Sequence, residues 1–267
     1  MYDELAASIA AGLAELGHSC SAGINELRPG AINILLGSTI FAARALSLYR
    51  QLAGQPYVLY QLEQLDDQLG LLPQWQEYRE LMAGASRIWD YAPSSGAWLR
   101  ERGFSAVDVL APGYHAYLET IRPEPRQDID VLFAGSPHPR RQVILDSLRR
   151  QGVSVISLQG VYGEQRDQAL ARAKIVLNMH AWDGLDALET IRLSFLLANR
   201  RFVVSETGDH DPYGGGVVFA RHAELAETCL YYLGQSPEHR AAIAGRGYQA
   251  VRSQSMTEAL RPLAGSA

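Results

Sequence analysis

Residues 134–141 gather a glycine (Gly135), a hydroxyl (Ser136), a histidine (His138) and two arginines (Arg140 and Arg141). Glycine lets a backbone approach a ligand closely, guanidinium forks match phosphate oxygens, and a helix opening here adds unpaired N–H groups, so the pattern suits a diphosphate. The plain alternative is a turn and N-cap before a surface helix. Residues 159–163 place Tyr162 between two glycines, Gly160 and Gly163, where a ring can stack on a nucleobase or simply cap the core. His180 ends an apolar run, and Glu189 and Arg192 follow at i and i+3, on one helix face. There the carboxylate suits ribose hydroxyls and the guanidinium phosphate; the plain alternative is an intrahelical ion pair. Glu63 and Asp90 follow apolar runs in the first half and are candidate general bases, because partial desolvation raises a carboxyl pKa toward neutrality. Tyr91 and His115 are similar candidates. His210, flanked by Asp209 and Asp211, reads as a loop: one histidine with two flexible acids makes a poor metal site.

Composition narrows the classes. The chain has 267 residues, 47% of them hydrophobic, enough to bury a real core. Its formal net charge of -5, with no long run of either sign, disfavours a generic grip on nucleic acid, so an anionic ligand must be held locally. Lys174 is the only lysine, which leaves little room for Schiff-base chemistry. Cys20 and Cys229 lie far apart without metal-ligand spacing, pointing to a reducing, cytoplasmic setting. No apolar run reaches the roughly 18 residues of a membrane span. The chain is therefore expected to be soluble, with peripheral membrane contact left open.

The elements that must position these residues alternate. Leu5, Ile9, Leu13 and Leu16 share a helical face that stops at Gly17. Strands are predicted over 31–36, 57–60, 87–91 and 107–110, with helices over 42–52, 78–83 and 94–102. Residues 121–128 interrupt the rhythm with two prolines among charges, and a boundary is placed there, giving domains 1–122 and 123–267. Strands are then predicted over 129–133, 153–158, 174–179, 201–205 and 217–220. Helices are predicted over 141–150, 164–173, 188–198, 223–233 and 237–251. This βα alternation predicts an α/β protein with parallel sheets, its ligands at the carboxyl ends of the strands. Neither GxGxxG nor GxxxxGK[ST] occurs, which argues against a dinucleotide fold or a P-loop.

Taken together, residues 128–136 with Arg140 and Arg141, the triplet Val161, Tyr162, Gly163, the stretch 171–180, and the unit carrying Glu189, Arg192, Asn199 and Glu206 resemble bacterial GT-B glycosyltransferases. They are most similar to the CgeB-like, glycosyltransferase family 1-type group. Residues 60–65, 89–91 and 112–115 are similar to that group's N-terminal signatures, so the likeness spans most of the chain. It implies two facing Rossmann-like domains, the N-terminal one reduced, with a nucleoside-diphosphate sugar held mainly by the C-terminal one and an unknown acceptor on the N-terminal side. It implies no metal and no cofactor, the nucleotide sugar being a substrate. By position, Gly135, Ser136 and Arg140 would meet the diphosphate, Tyr162 and Gly163 would border the base, Glu189 and Arg192 would hold ribose and phosphate, and His180 would approach the sugar.

Two departures from the pattern stand out. Many GT-B relatives carry a glutamate three residues after the helix arginine, where this chain has Phe195. The sequence also opens on a helix where such enzymes usually open on a strand, so the first lobe reads as pared down, leaving a surface for a partner protein or a second copy. Residues 255–263 are expected to return and brace that lobe. Two functions follow: metal-independent glycosyl transfer with Glu63 or Asp90 as base, or a noncatalytic nucleotide-sugar-binding module that scaffolds a partner glycosyltransferase.

Overall fold

Tyr57–Gln61 is a strand buried along its whole length, which requires a sheet covered on both faces. The computed structural model describes residues 2–37, 47, 50, 51, 54–65, 75–184 and 187–264. The helix predicted over 42–52 lies almost entirely outside them. The chain divides into two compact units, Tyr2–Gly113 together with the segment from Met256, and Tyr114–Ser255.

The first unit runs α1 (Tyr2–Glu15), β1 (Asn33–Leu36), β2 (Tyr57–Gln61), α2 (Trp75–Gly84), β3 (Arg87–Asp90), α3 (Pro93–Glu101) and β4 (Val107–Val109). Its strands pair in parallel in the order β1-β2-β3-β4. The register sets Tyr60 against Trp89 and Gln61 against Asp90. Large aromatic side chains fill the core: the Tyr60 hydroxyl donates to the Leu110 carbonyl at 2.5 Å and that of Tyr78 to Gln61 Oε1 at 2.7 Å, whereas the buried Trp89 Nε1 has no hydrogen-bond partner among the described residues.

The second unit runs β5 (Ile129–Ala134), α4 (Pro139–Arg150), β6 (Val155–Leu158), α5 (Gly163–Arg172), β7 (Ala173–Asn178), α6 (Thr190–Ala198), β8 (Val203–Glu206), β9 (Val218–Ala220), α7 (Leu225–Leu233) and α8 (Pro237–Arg252). Its five parallel strands lie in the order β6-β5-β7-β8-β9. Alternate residues of the central strands serve opposite cores: Leu132, Val176 and Val203 face one cluster with Leu193, Leu196 and Leu197 of α6, while Val131, Phe133, Ile175, Leu177 and Val204 face the other. The winding reverses between β5 and β7. The loops after those two strands therefore diverge and open a crevice, the place where ligands bind in sheets of this kind.

The proline-rich stretch 121–128, where the sequence marks a boundary, lies inside the second unit. Its first residue and the one before it are tied there by side chains: Asn199 Oδ1 accepts from the Ile121 amide at 2.8 Å, and the Thr120 hydroxyl donates to Asp167 at 2.7 Å. Beyond Ser255 the chain rejoins the first unit as α9 (Met256–Leu260), packed on α1. Gly12 permits the approach, since a Cβ there would lie 3.0 Å from Leu260 Cδ1.

A second glycine contact bears on the site. Gly247 of α8 lies against α6 and the 213–217 loop, where an added Cβ would stand 2.6 Å from Leu197 Cδ2 and 2.8 Å from the Gly216 carbonyl oxygen. Gly247→Ala should therefore destabilise the second unit by about 1–3 kcal/mol through overpacking. Circular dichroism melts should show a Tm several degrees lower; an unchanged Tm would mean that α8 retreats at no cost.

Candidate functional site

Asn178, His180, Glu189, Arg192 and Glu206 converge at the carboxyl end of the second unit's sheet, where Arg140 and Arg141 reach them from the first turn of α4. Helix α4 starts early because Pro139 suits a first helical position and His138 caps it, its Nδ1 accepting from the Arg140 amide at 3.4 Å. Both arginines then point back over β7. Arg141 is buried and its pKa is held below the usual guanidinium range, chiefly by burial. It donates to the carbonyls of Met179 at 2.8 Å and Ser136 at 3.1 Å, which binds the loops after β5 and β7 to each other.

Arg140 grips Glu206 with both terminal nitrogens, one of them at 2.7 Å. Its Nε donates to Asp183. Glu206 also accepts from the His180 amide at 3.1 Å. Burial pushes the Glu206 carboxyl up, but Arg140 and that amide outweigh it and hold the pKa below the usual range. His180 is itself buried, its Nε2 3.1 Å from the Thr207 carbonyl and its Nδ1 4.0 Å from Glu189.

Glu189 and Arg192 are brought together, but not as a pair within a helix. The helix predicted from residue 188 begins at Thr190, and Glu189 is its N-cap residue without capping it. Its carboxylate turns to Arg192 at 2.5 Å and to Arg141 at 3.5 Å, while Arg192 also donates to Asn178 Oδ1 at 2.7 Å. The first turn of α6 is thus left without a side-chain cap. In addition, the buried Thr190 Oγ1 and Arg192 Nε have no hydrogen-bond partner among the described residues. Three donor features (amides, a hydroxyl and a guanidinium N–H) therefore stand together at a helix N-terminus, an arrangement suited to anionic oxygens.

The other predicted residues lie around this centre in sequence or at separate places. Gly135 is required by packing, because a Cβ would sit 2.8 Å from the Phe133 ring. Ser136 is exposed and contributes its carbonyl to Arg141. Tyr162 is 69% exposed and precedes Gly163, whose φ of 59° favours glycine; α5 starts there without a side-chain cap. His210 pairs with Asp209 at 2.7 Å in an exposed loop, and Asp211 is taken up by the amides of Tyr213 and Gly215. His115 caps a short 3-10 turn and stacks on Tyr117.

Glu63 and Asp90 belong to the first unit and share the carboxyl end of its sheet. Glu63 Oε1 accepts from the Tyr2 hydroxyl at 3.0 Å. Asp90 is fully buried: Oδ1 accepts from the Ala92 amide at 2.9 Å, and Oδ2 has no hydrogen-bond partner among the described residues. Burial pushes its pKa up to about 7, against smaller opposing effects of the Ala92 amide and Arg100.

Sequence reasoning gave no role to Asn178, Asp183, Thr190 or Glu206. Asn178 and Glu206 are the last residues of β7 and β8, a position that the rule for ligands at strand ends picks out. Asp183 and Thr190 carried no such signal. Among the described residues no helix is long and apolar enough to cross a membrane.

The fold and the crevice describe an α/β protein of two Rossmann-like units, and comparisons agree on that class. The structure of Anabaena HepE in complex with UDP and glucose superposes with a TM-score of 0.61, at 14% identity, over 85% of this chain and 75% of that one. An α,α-trehalose-phosphate synthase (UDP-forming) from Burkholderia vietnamiensis gives 0.56 at 12% identity, over 98% and 78%. The chain thus has the GT-B glycosyltransferase fold. No protein-family model matches the sequence. Protein L140 of Acanthamoeba polyphaga mimivirus, an uncharacterized protein, is 31% identical over 124 residues, 44% of this chain and 41% of that protein, so the match spans about two fifths of the viral relative.

Asp90 generates a prediction about stability. Between the ordinary carboxyl value of 3.8 and about 7 the native protein retains a proton that the unfolded chain releases. The contribution of Asp90 is therefore present at low pH and is lost as pH rises through this window, at about 1.4 kcal/mol per pH unit for a full proton. Asp90→Asn should remove that slope and gain stability relative to the parent at pH 7. Parallel pH-stability curves for the two proteins in urea would refute the assignment.

Proposed function

We propose that the protein is a metal-independent glycosyltransferase, of the CgeB-like kind that its sequence resembles, moving a sugar from a nucleoside diphosphate to an acceptor hydroxyl or amide. The observation that carries the reading is the uncapped start of α6, where Thr190 Oγ1 and Arg192 Nε are buried with no hydrogen-bond partner among the described residues, beside the crevice of a GT-B fold. Support comes also from solved neighbours described in complex with UDP and glucose or as a UDP-forming synthase.

In this reading the donor pyrophosphate takes hydrogen bonds from the α6 amides, Thr190 and Arg192. The acceptor atom attacks the anomeric carbon and the bond from that carbon to the diphosphate oxygen breaks, its electron pair leaving on the nucleotide. Donors fixed in advance stabilise the negative charge as it develops, without reorganisation at the moment of reaction. Glu189 holds ribose, Tyr162 offers a face for the base, and Gly135 and Ser136 let the donor approach the loop after β5. His180, locked between Thr207 and Glu206, shapes the wall beside the sugar.

An inverting route also requires a proton acceptor. Asp90, poised near neutrality, has the required basicity, and Glu63 is the second candidate. The burial of Asp90 favours one competing reading, a noncatalytic nucleotide-sugar-binding module. Release of nucleoside diphosphate from UDP-glucose or its relatives in the presence of acceptors separates the two.

Nucleotide binding is tested first by thermal shift with UDP, GDP, dTDP and CMP, followed by calorimetry on any that stabilise. Arg192→Gln, which keeps a donor for Asn178, should weaken nucleoside diphosphate binding about tenfold or more, the loss of a charge-assisted hydrogen bond, with an unchanged Tm. Equal affinity in parent and variant would remove Arg192 from the site, and absence of any shift with all four nucleotides would remove the donor reading.

A further inference from the structure

The Arg140 guanidinium is engaged on nearly every side. Glu206 takes both terminal nitrogens, the His180 carbonyl lies 3.4 Å from one of them, and Asp183 takes Nε. The two carboxylates differ in one respect. The Glu206 side chain is only 7% exposed and is pinned by the His180 amide, whereas that of Asp183 is 89% exposed. Asp183 stands beside Gly184, whose φ is 80°, and the described structure gives its carboxylate no hydrogen bond other than Arg140. An exposed aspartate reaching a guanidinium that is 12% exposed therefore occupies the one side of Arg140 that a soluble anion could reach.

Among the described residues Arg140, Arg141 and Arg192 face Glu189, Glu206 and Asp183, three cations against three anions. Glu189 and Glu206 each hold more than one partner within the fold. Among the described residues Asp183 makes an ion pair with Arg140 alone, and removing its charge raises the charge of the cluster by one.

We propose that Asp183 is a built-in competitor that sits on Arg140 in the place of an anionic phosphoryl oxygen and must be displaced for that oxygen to bind. Asp183 thereby sets the affinity of the site for its donor: it keeps Arg140 aligned and neutralised when the crevice is empty and lowers the hold on the nucleoside diphosphate that remains after transfer. This rests on the donor reading above for the identity of the ligand, but the competition itself concerns any polyanion of phosphate type.

Inorganic pyrophosphate is therefore the first probe and UDP the second. Titration calorimetry of the full chain should show Asp183→Asn binding pyrophosphate about tenfold more tightly than the parent, because one competing charge has gone from beside the guanidinium. The gain should shrink as salt is raised. Asp183→Ser should behave alike, which covers a failure of the first variant to fold. Asp146→Asn, an exposed acid of α4 paired with Arg149, should leave the affinity unchanged and so controls for net charge. Affinity equal to or weaker than the parent in both Asp183 variants, or a gain of the same size in Asp146→Asn, overturns the proposal, as does absence of pyrophosphate binding in all proteins. Tighter pyrophosphate binding with no binding of UDP, GDP, dTDP or CMP leaves the competition standing and removes the nucleotide-sugar reading instead.

Discussion

The Arg140–Glu206 pair is the interaction on which the second unit's crevice depends. It joins the first turn of α4 to the last residue of β8. Glu206 in turn holds the His180 amide, and Arg141 holds the carbonyls of Ser136 and Met179. Two loops that diverge from the winding reversal between β5 and β7 are thereby fastened to the same point. A carboxylate this buried is tolerable only because a bidentate guanidinium and a backbone amide answer it; removal of either charge would leave the other stranded, at a cost of roughly 3–5 kcal/mol for pairs of this kind. Glu206 takes the terminal nitrogens of Arg140 as part of that architecture, while the Nε side faces the exposed Asp183.

The two sheets differ in strand order and in the groups at their carboxyl ends. Strands in the first unit follow one another in sequence order, β1 to β4, so no reversal splits their loops. What the first unit offers at its strand ends is a carboxyl, Asp90, stripped of water and poised near neutral pH. The second sheet offers the opposite chemistry, guanidinium groups and unsatisfied N–H and O–H donors.

Much of the fold was legible because parallel strands buried on both faces leave continuous apolar runs. Each of the strands β2 to β9 falls within or beside its predicted span. The start of α6 was misplaced by two residues: Leu188 is buried and looks helical in the pattern, but the Thr190 amide turns back to the Leu188 carbonyl and opens the helix later. That small shift changes the chemistry, since it turns Glu189 from a helix residue into an uncapping N-cap. The convergence of Glu189 and Arg192 was readable from local spacing. The partners of Arg140 were not, because Asp183 and Glu206 lie 43 and 66 positions away and no periodicity links them. The poise of Asp90 was anticipated only as a type of residue, since its burial comes from neighbours on other strands.

The return of α9 to the first unit has a bearing on synthesis. Glu15 and Thr257, hydrogen-bonded at 2.6 Å, are 242 positions apart. At cellular rates of translation the interval between their emergence from the ribosome is on the order of ten seconds or more. Through that interval the side of α1 around Gly12 lacks α9, while the strands and helices of the second unit are made one after another. The first unit is thus closed only after the second has been made, and until α9 arrives the nascent chain carries an open apolar seam that a chaperone can hold.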